Sequence, residues 1–394
     1  MSRYSLFPYF YLESLFYLER VEGCRKMVRK CTVWVIVVVI VFFLAGCWDQ
    51  RLLKEGRLVY ASAFDLQQDE KIKTTAIVQD MKNGIPTNVL IQGEGNTIRE
   101  TRMDMDNKLS GDFDPSKNRI FLLGEELAQK DIYQFLDIFY RDPSSSISAN
   151  IVVTEGNGED ILEKMTQKNT LIAEFLIELL SSAENSTLVP KQDVQSIWTN
   201  MLDPGKDFAL PLISLKDDEV VLAGTGLFHK HALVGSLTLE ESTLFLIMSN
   251  QKKKVARFVS KISEEKEMRI QNYISYNFSK VNSKLKVLSA SPENIEVEIK
   301  AKVDITILEF PEDKLSNEEK IQKLNSLISK DLTAKAEKLV KKLQASNSDL
   351  FGIGRELIAY HPKTWEQIEW EEEYPNITIT PEIEVDIVGH GIIN

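Results

Sequence analysis

The chain has 394 residues, 27% of them charged and 43% hydrophobic, with a formal net charge of −12. An acidic balance of this size disfavours nucleic acid and offers no general attraction to an anionic membrane surface. The three cysteines are Cys24, Cys31 and Cys47, so nothing downstream of residue 47 can form an internal disulfide.

Residues 1–26 are aromatic-rich and without a clear period, and they push the first basic cluster away from the chain start. We read them as an upstream mis-start ahead of Met27, the alternative being an amphipathic leader lying on a membrane. From Met27 the order is Arg29 and Lys30, an apolar run from Val33 to Leu44, then Ala45, Gly46 and Cys47. A run of about 12 apolar residues falls short of the ~20 needed to cross a bilayer as a helix, so residues 27–46 are expected to be a signal peptide. Leu44-Ala45-Gly46-Cys47 resembles the lipobox of bacterial lipoproteins. Two small residues admit a peptidase, and the Cys47 thiol is the atom that would be loaded with diacylglycerol. Six of the 47 basic and three of the 59 acidic residues precede Cys47, so the remainder carries a net charge of −15. Any attachment to a membrane must then come from lipid. That remainder is long enough for two or three domains.

In chain order, Arg57 to Phe64 and Lys71 to Val78 are short β-leaning runs separated by the polar turn Gln67 to Glu70, which fits a hairpin. Asn88 to Ile91 is a further strand candidate. Thr97 to Leu109 has the sparse apolar spacing of a weak helix. Arg119 to Leu123 is a buried strand ended by Gly124. Ile132 to Tyr140 is a helix stopped at Asp142-Pro143, because the residue before proline avoids the helical region. Ile147 to Thr154 is a second strand, and Gly156-Asn157-Gly158 leads into another helix. Thr170 to Ser182 (Leu171, Ile172, Phe175, Leu176, Leu179, Leu180) is apolar on several sides and expected to be buried. Strand, helix, strand, helix predicts an α/β block with a mixed sheet, residues 47–205, open to division into two subdomains. Asp203-Pro204-Gly205, Leu210-Pro211 and Lys216 to Glu219 suggest a boundary across 203–219.

Residues 219–394 are expected to form an α+β unit. Val220 to Leu227 is strand-like, and His229-Lys230-His231 is a turn. Thr238 and Glu241 have capping-box spacing ahead of the apolar run Leu244 to Met248. From Ile295 to Ile307 apolar and polar residues alternate strictly, as in an antiparallel strand with one buried face. Ile377 to Ile387 alternates too, interrupted by Pro381, which suggests an edge strand or bulge. Between them, Ser316 and Glu319 form a second capping box. Ile321, Leu324, Leu327, Ile328, Leu332, Ala336, Leu339, Val340 and Leu343 then recur at helical spacing, predicting a long helix packed on an antiparallel sheet.

Three blocks carry a family resemblance: NRIFLLGEELAQKDIYQFLDIFYRDP at 118–143, LAGTGLFHKHALVGSLTLEES at 222–242, and the closing FGIGRELIAYHPKTWEQIEWEEEYPNITITPEIEVDIVGHGIIN. They resemble the Ger(x)C spore-germination lipoproteins, the C subunits of nutrient germinant receptors, as does Trp48-Asp49 after the lipobox. Glu371-Glu372-Glu373 departs from the more basic helix expected there. The resemblance implies an elongated protein of about three domains, lipid-held on the outer face of the spore's inner membrane. It also implies a place beside two integral-membrane subunits in sensing nutrients.

The residues point to no enzyme and no cofactor. His229 and His231 suggest a metal, but no third ligand has recognisable spacing, and adjacent histidines in a turn are usually solvated. Gly352-Ile353-Gly354 lacks a third glycine and reads as a bend at the start of a helix, not a dinucleotide loop. Glu369 to Glu373 reads as a solvated acidic face, and no nucleophile elbow or phosphate loop is present. The alternative function is a solute-binding lipoprotein serving a transporter, which would require two doubly wound lobes of parallel strands.

Overall fold

Strands of continuous apolar sequence must be covered on both faces, and that requirement organises the larger part of the molecule. The computed structural model describes residues 29–30, 32–39, 56–82, 85–168, 171–264, 266–312 and 315–391. Met1–Glu55 and Gly56–Asn394 are separate compact units. In the first, residues 29–30 and 32–39 are helical and exposed. Leu44, Ala45, Gly46 and Cys47, the expected lipidation segment, lie outside the described residues, as do residues 1–26.

The second unit opens with β1 (Gly56–Leu66), β2 (Ile72–Lys82) and β3 (Ile85–Gly95), an antiparallel meander. Helix α1 (Ile98–Asp106), capped by the Thr97 hydroxyl, and the short β4 (Asp112–Asp114) follow. Next come β5 (Ile120–Leu123), α2 (Glu125–Ala128), α3 (Ile132–Arg141) and β6 (Asn150–Thr154). Helices α4 (Gly158–Lys168), α5 (Ile172–Asn185) and α6 (Val194–Met201) lead to β7 (Ala209–Lys216), β8 (Glu219–His229) and β9 (Ala232–Leu237). All nine strands join one mixed sheet, in the order β3-β2-β1-β5-β6-β7-β8-β9 with β4 beside β1. Its centre is parallel and both ends are antiparallel.

Alternation in β5 sorts the layers. Phe121 and Leu123 meet α2, α3 and α6 on one face, whereas Ile120 and Leu122 meet α4 and α5 on the other. Phe64, Phe121 and Phe139 pack ring on ring with centroids 4.5–5.7 Å apart. At the end of β1, Asp65 accepts the Gly158 and Glu159 N–H groups (2.7 and 2.9 Å), capping α4. Burial raises its carboxyl to about 6. A Cβ on Gly124 would lie 2.1 Å from the Asp65 Oδ1, so only glycine fits where the strand ends. Helix α5 corrects an expectation: Ile172, Leu176 and Leu180 are buried, but Leu171 and Phe175 are exposed. The expected boundary across 203–219 contains β7 and its hairpin turn to β8, so the large sheet runs through it.

The second sheet comprises β10 (Arg257–Lys261), β11 (Tyr273–Ser291), β12 (Asn294–Glu309) and β13 (Thr378–Gly389), in that order. Helix α7 (Leu239–Met248) lies between the two sheets, with Ser242 to Met248 all buried. The predicted capping box holds: Glu241 N–H donates to the Thr238 hydroxyl (3.3 Å), and the Glu241 carboxylate takes the Thr238 N–H (2.8 Å). Inward residues Ile295, Val297, Ile299, Ala301, Val303, Ile305 and Ile307 of β12 are buried against the long helix α8 (Glu318–Ala345).

Three details differ from the sequence reading. The α8 cap is the Asn317 side chain, accepting from Lys320 N–H, not Ser316. Leu327 is half-buried, outside the stripe of Leu324, Ile328, Leu332, Ala336, Leu339 and Leu343. And β13 runs parallel to β12, so the sheet is mixed rather than antiparallel. Beta13 is indeed an edge, and its free N–H groups are not left to water. Those of Ile383, Val385 and Ile387 donate to Thr333 Oγ1, Ser329 Oγ and Asn325 Oδ1 of α8 (3.1, 3.0 and 3.1 Å). Three polar residues at i, i+4 and i+8 therefore close the edge.

Candidate functional site

Short helices α9 (Ile353–Tyr360), α10 (Pro362–Trp365) and α11 (Trp370–Glu373) fill the stretch between α8 and β13. Together with the end of α6, the loop before β7 and the β8–β9 turn, α10 and α11 border a cleft of about 540 Å³. Its lining comes from Asn200 to Pro204, Lys206, Asp207, His229-Lys230-His231, Asp349, Trp365 and Ile368 to Glu371. The motifs that read as punctuation in the sequence thus meet in one place.

Two glycines make the approach possible. A Cβ on Gly205 would lie 2.6 Å from the Arg355 nitrogen, and one on Gly354 would lie 2.8 Å from the Trp370 Nε1. Arg355 N–H donates to the Gly205 carbonyl (2.8 Å), and its guanidinium pairs with Asp203 through Nε (2.6 Å). Asp349 is fully buried and accepts three N–H groups, from Gly352, Ile353 and Gly354 (2.9, 3.0 and 2.8 Å), at the start of α9. Burial pushes its carboxyl up to about 7 against the pull of those donors, and nearby Asp207 adds to the rise. Gly352 holds φ +74°, the left-handed bend that brings these N–H groups onto one carboxylate. The sequence-predicted bend at the helix start is therefore also an anion nest, occupied by the protein's own side chain.

Asp207 ties the walls together. Its carboxylate accepts the Lys230 N–H (2.7 Å) and the Asp349 N–H (2.8 Å), and its own N–H donates to the Asp349 carbonyl (3.0 Å). The His229 Nδ1 lies 3.3 Å from the same carboxylate. His231 turns to another partner, its Nδ1 3.0 Å from Asp131 and its ring stacked on Tyr133 (5.1 Å, 21°). Tyr133 in turn stacks on Trp198 (4.9 Å, 15°). The two histidines are thus not simply solvated, and they do not converge on a common point. Among the described residues no group of three or more His, Cys, Asp or Glu side chains is placed to hold a metal. Lys230 pairs with Glu371, and Trp365, Trp370 and Tyr374 form a ladder with centroids 5.8 and 5.5 Å apart. The cleft lining contains no Ser, Thr or Cys. It offers charged and aromatic surface.

Two family profiles match the chain: "Spore germination protein N-terminal domain" over residues 49–215 and "Spore germination B3/ GerAC like, C-terminal" over 223–391. The chain belongs to the GerAC-like spore germination family. Among its relatives, "Spore germination protein GerQC" of Bacillus cereus is 26% identical over 91% of this chain and 99% of the relative. "Putative spore germination protein YfkR" of Bacillus subtilis (strain 168) is 25% identical over 90% of this chain and 94% of the relative. The crystal structure of the GerBC protein shares the fold, with a TM-score of 0.56 at 17% identity over 83% of this chain and 96% of that one.

Seen in family terms, residues 200–207 of the cleft come from the N-terminal matched segment, and 229–231 and 349–371 from the C-terminal one. The C-terminal segment also supplies β9 and most of β8 to the first sheet. Two doubly wound lobes, required by the transporter alternative, are not what the described residues form. They hold one large sheet with a parallel centre and one four-stranded sheet. Among the described residues no helix is long and apolar enough to cross a membrane.

Proposed function

We propose that the chain is a lipid-held, non-catalytic subunit of a spore nutrient germinant receptor. It would lie on the outer face of the spore's inner membrane beside two integral-membrane subunits. The observation that carries this reading is the family match from residue 49 to residue 391, which begins two residues after the cysteine of Leu44-Ala45-Gly46-Cys47. Relatives covered over more than nine-tenths of their length are themselves named spore germination proteins. A diacylglycerol on Cys47 would bring two acyl chains, at about 0.8 kcal/mol per buried methylene, enough for stable attachment. Confinement to the membrane raises the effective concentration beside partner subunits without any new contact. Affinity purification of the tagged chain from spore membranes tests the reading. Two integral-membrane subunits should co-purify, and mass spectrometry should find the chain starting at an acylated Cys47. Recovery of the chain alone, or of an unmodified Cys47, would contradict it.

A further inference from the structure

We propose that the cleft beneath the His229-Lys230-His231 turn binds a small monocarboxylate, with the Lys206 ammonium taking the carboxylate and Trp365 and Trp370 receiving its apolar body. The argument begins with what Lys206 lacks. Its side chain lines the cleft, and among the described residues no hydrogen bond or ion pair is made by its ammonium. Nearby carboxylates are already engaged. Asp203 holds Arg355 and the Gly205 N–H, Asp349 holds three backbone N–H groups, and Asp207 holds the N–H groups of Lys230 and Asp349. Burial lowers the Lys206 pKa and the Arg355 guanidinium lowers it further, while the charges of Asp349 and Asp203 oppose the shift without reversing it. A cation held only by charges at a distance gains from an incoming anion a direct partner that the described residues do not give it.

The lysine is also held in place. Its stem lies along Gly352, where a Cβ would come within 3.0 Å of the Lys206 Cδ and 3.4 Å of its Cγ. The Trp365 and Trp370 rings, both partly buried, line the same cleft, with Ile368 between them in sequence. A volume of about 540 Å³ lies within the range of small-molecule sites. Glu369 and Glu371 at the same mouth disfavour a multiply charged anion such as a phosphate. One ammonium without an ion pair among the described residues, an aromatic wall and an acidic rim together select a singly charged acid with a flat or apolar body. The site stands on its own geometry and does not depend on the receptor reading.

Calorimetry on the full chain in detergent, blanked against detergent alone, tests this with 3-phenylpropionate and its neutral isostere 3-phenylpropanamide. The acid should bind at least about tenfold more tightly than the amide. Lys206→Met should weaken the acid at least about tenfold and leave the amide unchanged, while Lys206→Arg keeps most of the preference. Lys206→Met removes no hydrogen bond or ion pair among the described residues, so its melting temperature should lie close to the parent's. Equal binding of acid and amide, unchanged acid binding in Lys206→Met, or no saturable binding of the acid up to about 10 mM would overturn the proposal.

Discussion

Leu339 sits fully buried on α8, inside the core that the inward residues of β12 complete. Leu339→Ala removes three carbon atoms from that core. At about 0.8 kcal/mol per buried carbon the transfer loss is roughly 2.4 kcal/mol. The remaining cavity adds to it, because a helix pinned to a sheet at both flanks collapses only in part, and the expected total is about 3–4 kcal/mol. Leu327, half-buried and outside that core, is the internal control, and Leu327→Ala should cost about 1 kcal/mol or less. Urea unfolding followed by tryptophan fluorescence suits the comparison, since Trp365 and Trp370 pack on the same core as Leu339. Unchanged slopes against denaturant would confirm that only stability has moved. A loss below about 0.5 kcal/mol for Leu339→Ala, or equal losses at the two leucines, would refute the placement of α8 on the second sheet.

Two further outcomes follow from polar groups in buried settings. Ser329→Ala and Thr333→Val should each cost about 1 kcal/mol, adding to about 2 together, and amide exchange at Val385 and Ile383 should quicken; unchanged exchange would mean the β13 edge is closed by something else. Asp349, with its folded pKa raised to about 7 from an ordinary value near 3.9, makes the folded state bind the extra proton across that interval. Its contribution to stability is therefore complete below pH ~4 and is lost as the pH rises through about 7. Asp349→Asn should flatten this part of the pH profile, and identical profiles for the two proteins would contradict the buried, proton-holding carboxyl.

Much of the architecture was legible because burial leaves a period in the sequence. The strict alternation of 295–307 and the three-and-four spacing of 324–343 each specify a face, and both faces are buried as read except at Leu327. Alternation does not specify direction, so the parallel pairing of β12 with β13 left no trace in the sequence. Ser316 and Asn317 are adjacent oxygen-bearing residues, and spacing alone could not choose between them as the α8 cap. The polar stripe of Asn325, Ser329 and Thr333 resembles an ordinary wet face until an edge strand lies beside it. The cleft was hidden for a related reason. Its parts are spread from residue 200 to residue 371, and the partners of His229 and His231, Asp207 and Asp131, lie 22 and 100 residues away. Lys206 carries no motif at all. Its distinction is an ammonium without a hydrogen bond or ion pair among the described residues, which only packing reveals.

The receptor reading meets its most direct test in spores whose other nutrient receptors are deleted and whose receptor-subunit levels are matched. Cys47 lies outside the first strand, so Cys47→Ala should remove the lipid and leave the cores built from residue 56 onward intact. Germination would be followed in response to nutrient and to a stimulus that bypasses nutrient receptors. The account predicts a poor nutrient response and a normal bypass response, both for Cys47→Ala and for deletion of the whole gene. An intact nutrient response after deletion of the gene would contradict it.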